Sequence, residues 1–531
     1  MNQQTNYLPY ESTGYFSKIV SDYLKQSPLL QSFYSHAPTI EGIKDSIAAR
    51  QLFNTPRQLL AEVLTAQYAG LTITGKIGKN IESLTNKNTF TVTTAHQPNI
   101  FTGPLYFIYK ILHAVKLADE LSVQLPQYKF VPVYYMGSED ADLDELGYVN
   151  VGGQKLVWET KQTGAVGRMK VDKHLRKLIH DIHGQVGVLP FGNELTELLE
   201  QCYTEGKLIQ QATLELVNTL FGEYGLLVLV PDNAKLKTAF QPVVEKELTE
   251  KFSHILVSDT IAKIGQHYKV QAGGREINLF YLMDDKRERI EIASNKYEVK
   301  SLGLSFSKEE ILAELQNHPE RFSANVILRG AFQETVLPNI AFIGGGGELA
   351  YWLELKNVFE AVKIPYPVLL LRNSFLLVRK EQGARLQKLG FTGQDLFSDE
   401  LQLINTLVKR ESTHQLSLEK ELQQARDYYA QLRTITDTVD ATLSQHLVAL
   451  EKRALKKLTE LEKKILRAER FKYETQRNQI VKLKQELFPY NSLQERTDNF
   501  AAHYAAHGKT WLHAIYEAST GLNKGFGIVH E

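Results

Sequence analysis

Two polar clusters in the first third of the chain hold side chains that could do chemistry. Ser138-Glu139-Asp140-Ala141-Asp142 packs three carboxylates into four residues, and Asp144 and Glu145 follow. Like charges this close repel unless water, a metal or a cationic group compensates. The cluster therefore suits a metal or an amino group of a substrate. The plainer alternative is a solvated loop with a helix-capping acid. Upstream, Ala95-His96-Gln97-Pro98-Asn99 and Thr102 offer neutral donors beside a helix start, where free N–H groups and the dipole favour an anion. Capping of a turn would explain them equally well. A third stretch, Gly344-Gly345-Gly346-Gly347-Glu348, leaves its amides open to a close ligand because no Cβ intervenes. A flexible turn is the simpler account of that run.

The flanking patterns place these clusters. Thr89 to Thr94 reads as a β-branched strand, Gly103-Pro104 opens an apolar-periodic helix, and Val131 to Met136 reads as a buried strand. Ile340 to Ile343, the glycine run, a helix over Leu349 to Val362 and a strand at Val368 to Leu371 repeat that order, ending at Arg372-Asn373-Ser374. Such βαβ units make parallel sheets that bind ligands at the strand carboxyl ends, so the clusters should face one crevice. Leu226 to Val230 predicts another parallel strand, Gly164 to Val171 a short antiparallel one, and 270–299 a small β insertion. Glu194 to Phe221 and Gln241 to about Gln266 read as helical. No GxGxxG follows the first strand, and the nearest approach to a P-loop, Gly70 to Lys76, has Ile77 where a hydroxyl is needed.

From about Glu411 the apolar spacing approaches 3.5 residues with interspersed charges, a coiled-coil pattern. Asp440 is placed to cap a second helix, giving an antiparallel hairpin whose longer arm, 440–487, would reach about 70 Å. An arm of that length suggests a second copy as partner. His503 and His507 have HxxxH spacing, but Tyr504 stands where a zincin has Glu, so no metal is expected.

Composition narrows the class. In 531 residues, Lys plus Arg and Asp plus Glu number 61 each, which gives no general pull toward nucleic acid or anionic membrane. One cysteine, Cys202, excludes an internal disulfide and fits a reducing cytoplasm, and its leucine-rich context reads as core. The first residues lack a basic segment followed by an apolar run, and no stretch reaches the roughly 18 apolar residues of a span.

The ordered set TAHQPNIFTGPLYFIYK, PVYYMGSEDADLDE, NVILRGAFQE, AFIGGGGELAYW and LRNSF, with KILRAERFKYETQRNQIVKLKQELFP and LQER, resembles the bacillithiol-biosynthesis BshC family of cysteine ligases over essentially the whole chain. The resemblance implies an α/β fold: a Rossmann-like parallel-sheet core similar to class I aminoacyl-tRNA synthetases, small β/α insertions and a long antiparallel α-helical coiled-coil domain. The implied divisions are a helical part of the core (1–88), a first Rossmann half (89–155), insertions with a central strand near 226–230 (156–320), a second half (321–380), the coiled coil (381–488) and a helical segment packing back on the core (489–531). It implies a homodimer formed through the coiled coil.

The implied reaction joins cysteine to the amino group of glucosaminyl-malate, with ATP as one candidate activator of the cysteine carboxyl. Glu139, Asp140 and Asp142 match the family's acidic motif as candidate catalytic groups, next to Ser138. His96, Gln97, Asn99, Gly103, Tyr106 and Lys110 match its polar turn and following helix. Arg329, Gly344, Gly345, Gly346, Gly347, Glu348, Tyr351, Trp352, Arg372 and Ser374 match the second half of the crevice. Arg496, Trp511 and Tyr516 are candidates for a second nucleotide pocket. The competing function is a non-catalytic ligand-binding or scaffold subunit of the same pathway.

Overall fold

The structure, a computed structural model, describes residues 5–522 and 525–531, with the side chain of Ala441 outside that description. The chain forms two compact units, one of Met1–Leu376 with Leu493–Val529, the other of Leu377–Ser492 with His530–Glu531.

The first unit is built on five strands: β1 (Thr89–His96), β2 (Lys129–Met136), β3 (Leu227–Leu229), β4 (Asn339–Gly344) and β5 (Val368–Leu371). They lie in the order β5-β4-β1-β2-β3 and every neighbouring pair is parallel. Both faces are covered, so the strands read as nearly unbroken buried runs. Helix α1 (Tyr106–Gln124) crosses from β1 to β2; its Ala114, Leu117, Ala118 and Leu121 join Phe90, Val92, Ile340, Ile343 and Val368 in one cluster. Each large side chain fully buried there contributes roughly 1.5–3 kcal/mol. From β1 the chain runs outward through β2 to β3, then returns to the other side of β1 with β4 and β5. The order therefore reverses between β1 and β4, where a doubly wound sheet opens a crevice at its carboxyl edge.

A polar network crosses this core. Thr91 and Thr93 donate to Asn339 Oδ1 at 3.2 and 2.8 Å, Asn339 donates to Glu334 at 2.7 Å, and Glu334 pairs with the buried Arg50 at 2.5 Å. Glu334 lies on helix α2 (Val326–Val336) and Arg50 on the helix Ile40–Gln51. Helix α3 (Gly346–Trp352) follows the glycine run.

Several elements depart from the sequence pattern. Gly164 to Val171 holds a single 3-10 turn, Val166–Arg168, because the backbone of Gly167 packs against Ser138, where a Cβ would lie 2.5 Å from the Ser138 carbonyl. The helix expected over Leu349 to Val362 breaks after Trp352 and restarts as Lys356–Ala361. Gln241 to Gln266 divides at Lys251, which takes a left-handed φ of 53° between Ala234–Glu250 and Phe252–Ile264. Glu194 to Phe221 likewise forms two helices, Gly192–Cys202 and Ile209–Phe221. Cys202 is buried, and burial pushes its thiol up to about 12, as expected for a core residue. The β insertion contains a three-stranded antiparallel sheet, Phe322–Ala324, Leu279–Met283 and Lys286–Arg289.

The second unit contains the helical hairpin. Helix α4 (Glu419–Val439) turns at Asp440 into α5 (Ala441–Arg470), which continues through a 3-10 turn into α6 (Glu474–Leu487). Asp440 accepts from the Thr442 N–H at 2.8 Å, the cap read from the sequence. Arg433–Glu451 and Leu418–Glu462 contacts link the arms in antiparallel register. Among the described residues no helix is long and apolar enough to cross a membrane.

Candidate functional site

A crevice of about 330 Å³ opens at the carboxyl edge of the sheet, at the β1/β4 reversal. The end of β1 contributes Ala95 and His96, and Gln97 follows it; the segment after β2 contributes Gly137, Asp140 and Glu145. Gly345, Gly346, Gly347 and Glu348 after β4, Tyr351 of α3 and Arg372 after β5 form the opposite side. Arg329 of α2, Tyr106 and Arg496 complete it.

The acidic cluster divides by role. Asp140 reaches the crevice, accepts from Gln97 Nε2 at 3.3 Å and lies 3.5 Å from Arg329 Nη2. Burial pushes its carboxyl up, but Arg329, Arg287 and the bonds from Gln97 and the Ala141 N–H outweigh that and hold it below the usual carboxylate range. Glu145 shares the wall, and burial followed by repulsion from Asp142 and Asp140 pushes its carboxyl up. Glu139, expected to be catalytic, points elsewhere: it is buried, ion-paired with Lys237, and accepts from Ser323 Oγ at 2.8 Å. Asp142, also expected to be catalytic, is exposed and caps the turn Leu143–Leu146 by accepting from the Glu145 N–H at 3.1 Å. Ser138 is fully buried against Gly167.

The glycine run is held from within. Glu348 Oε2 accepts from the Gly345 N–H at 2.8 Å and from Lys110 Nζ at 2.7 Å. Lys110 therefore anchors this turn from beneath, and the Gly345 amide is already taken. Gly344 ends β4, and its carbonyl accepts from the Arg372 N–H at 2.8 Å. His96 is buried, and its Nε2 has no partner among the described residues. Burial, then the nearby Lys110 and Arg372, hold the ring well below its usual value, so it is neutral. A neutral, unpartnered imidazole on the wall can accept from or donate to a bound ligand.

Asn99 and Gly103 shape the polar turn and do not line the crevice. Phe101, Thr102 and Gly103 all take positive φ, and a Cβ on Gly103 would lie 2.8 Å from the Asn99 Cβ. Asn499 clamps this strained turn by donating to the Phe101 carbonyl at 2.9 Å and the Gly103 carbonyl at 2.6 Å. Arg372 donates to Ser374 Oγ at 3.0 Å and pairs with Glu495 at 2.7 Å, which leaves Ser374 buried beneath the site. Trp352 stacks on Phe342 at 4.3 Å inside the core and does not reach the crevice.

The structure does not gather the three residues of the expected second pocket. Arg496 joins the main crevice, Trp511 is fully buried against His503, and Tyr516 donates to Asp119 at 2.8 Å. Glu145 is the wall residue that sequence reasoning passed over. Its acidic neighbours were visible, but which acid faces inward depends on the turn at Leu143–Leu146.

The family model described as the bacillithiol biosynthesis BshC N-terminal Rossmann-like domain matches residues 3–373, and that of the BshC C-terminal coiled-coil domain matches 375–531. A Flavobacterium johnsoniae protein named "Putative cysteine ligase BshC" is 40% identical over 528 residues, covering 99% of both chains. A Flavobacterium psychrophilum protein of the same name is 39% identical over 528 residues, again covering 99% of both. A solved structure described as a "putative arginyl t-RNA synthetase" from Campylobacter jejuni aligns with 83% of this chain and 98% of its own, at 11% identity and a TM-score of 0.22, too slight a likeness to bear on the fold.

Proposed function

The chain belongs to the bacillithiol-biosynthesis BshC family, and from that premise we propose that it is a cysteine ligase that joins cysteine to the amino group of glucosaminyl-malate. The observation that carries this reading is the pairing, in one crevice, of an ionised Asp140 and a raised Glu145 with the guanidinium groups of Arg329, Arg372 and Arg496. Amide formation needs an activated carboxyl, because a free carboxylate is a poor electrophile. The cations on the wall and the unpartnered His96 Nε2 are groups that suit phosphate oxygens, so the crevice fits ATP as the source of that activation. Asp140, kept ionised, holds an ammonium or an amine N–H. Glu145 takes the proton that the amine loses as its nitrogen bonds to the cysteine carbonyl carbon and the activating group departs. Arg329 orients a carboxylate of the acceptor.

We further propose that the enzyme works in the cytoplasm as a homodimer formed through the hairpin. Ile435, Val439 and Leu443 leave apolar surface exposed there, which a second copy would cover.

The reading is tested by mass spectrometry of thiols and precursors in a strain lacking the gene. Loss of bacillithiol with accumulation of glucosaminyl-malate is expected; unchanged bacillithiol overturns the assignment. Complementation with Asp140→Asn should fail to restore bacillithiol while the protein stays folded, and normal levels in that strain would remove Asp140 from the mechanism.

A further inference from the structure

Beside the crevice lies a second cavity of about 360 Å³ that shares Asp140, Val326 and Arg329 with it. Its other charged residues are Arg275, Arg287 and Arg289, contributed by the β insertion. Arg287 and Arg289 are two residues apart on one strand, so both side chains leave the same face. That face also carries Phe280, paired in register with Arg289. The Arg287 guanidinium lies 3.9 Å from the Phe280 ring centre and donates through Nε to Ser323 Oγ at 3.1 Å; Arg289 lies 5.9 Å from the same ring. These contacts fix the guanidinium planes but neutralise nothing. Among the described residues, Arg275, Arg287 and Arg289 have no carboxylate within ion-pair distance, and Arg329 only reaches Asp140 at 3.5 Å. Four guanidinium groups thus share a cavity with one carboxylate. Arg275 and Arg289 are exposed and Arg287 is half-buried, so the recess is open to a ligand from solvent. Burial, then the charge of Arg329, push Arg287 down to about 10 against the opposing pull of Asp140 and Glu139.

We propose that this recess is an anion subsite that takes a group bearing at least two negative charges, held beside the reacting atoms of the crevice. Arginine forks match the oxygen pairs of carboxylates and phosphates alike. The source is either a dicarboxylate, such as the malyl group of the acceptor, or the phosphate chain of an activator. Assigning it to the acceptor rests on the function proposed above; the subsite itself rests on the charge geometry alone.

The test is calorimetric titration of the full chain with L-malate and, separately, with inorganic pyrophosphate. Wild type is compared with the double variant Arg275→Gln, Arg289→Gln. At least tenfold weaker malate binding in the variant places the acceptor's carboxylates in the recess, and the same loss for pyrophosphate places the phosphates there. Equal affinity of both proteins for both anions, or no binding of either anion to wild type at millimolar concentration, overturns the subsite. Should the pair fail to fold, Arg275→Gln alone carries the same test, because that side chain is exposed and makes no hydrogen bond among the described residues. The readout is binding of a simple anion, so it stands whether or not cysteine addition is observed.

Discussion

Asp140 and Glu145 line the same crevice, yet their surroundings push them in opposite directions. Arg329 and Arg287 keep Asp140 ionised, whereas the charges that act on Glu145 are the carboxylates of Asp142 and Asp140. Paired groups driven apart in this way are the reason Glu145 is proposed as the base. Glu145→Gln should therefore lower the turnover rate about 10²–10⁴-fold with little change in substrate affinity. In the wild type, the acidic limb of the pH–rate profile should lie above the ordinary glutamate range, since activity needs Glu145 deprotonated and its carboxyl is raised. That limb should vanish in Glu145→Gln, and an unshifted limb in the variant would assign the base elsewhere. His113 makes a second test. It is fully buried, approaches the Gly521 carbonyl through Nε2 at 2.8 Å and accepts the Asn373 N–H at Nδ1 at 3.1 Å. Burial lowers it from 6.5 to about 4. The folded protein thus holds it neutral while the unfolded chain protonates it. Its contribution is complete above about pH 6.5 and is lost as pH falls toward 4, a change of roughly 3 kcal/mol. Denaturant melts across that range should show the slope, and His113→Gln should remove it.

At the scale of elements, the polar turn after β1 is held in shape by a residue nearly 400 positions away. Asn499 satisfies two carbonyls of a segment whose three consecutive positive φ values would otherwise relax. Asn499→Ala should cost about 1–3 kcal/mol and weaken ligand binding through the displaced Ala95–Gln97 wall, read by thermal melts and by calorimetry on the same sample. A variant with normal stability and normal binding would show that the turn holds itself. The sheet, its helices and the glycine turn were legible from β-branched runs, apolar periodicity and glycine spacing. Breaks inside helices were not: Lys251 takes a left-handed φ, and the Trp352 carbonyl accepts from the buried Tyr366 hydroxyl at 2.6 Å, neither of which local propensity encodes.

At the scale of the molecule, the first unit is completed by a segment that returns after the hairpin. Glu495 from that segment neutralises Arg372, only 3% exposed at the end of β5, and Asn373 exchanges hydrogen bonds with Thr520. Glu495→Ala would strand a buried guanidinium, so a loss of about 3–5 kcal/mol is expected in equilibrium unfolding. A loss below 1 kcal/mol would mean that water reaches Arg372. For the hairpin, the double change Ile435→Glu, Val439→Glu should convert the proposed dimer to a monomer by light scattering, while an unchanged mass would place the dimer contact elsewhere.

Periodicity and motif order alone determined the parallel core, the coiled-coil hairpin and the family, because those depend on patterns repeated over many residues. They also put His96, Asp140 and the glycine run in one crevice, since strand carboxyl ends converge in a doubly wound sheet; the family resemblance added Arg329. Only the tertiary structure decided which acids face that crevice. Asp140 and Glu145 line it, Glu139 is spent on Lys237, and Asp142 is spent on a helix cap. Five carboxylates within seven residues are indistinguishable by type. Their direction is set by a one-turn helix, by the backbone of Gly167 against Ser138, and by cations that arrive from 90 to 190 residues further along the chain.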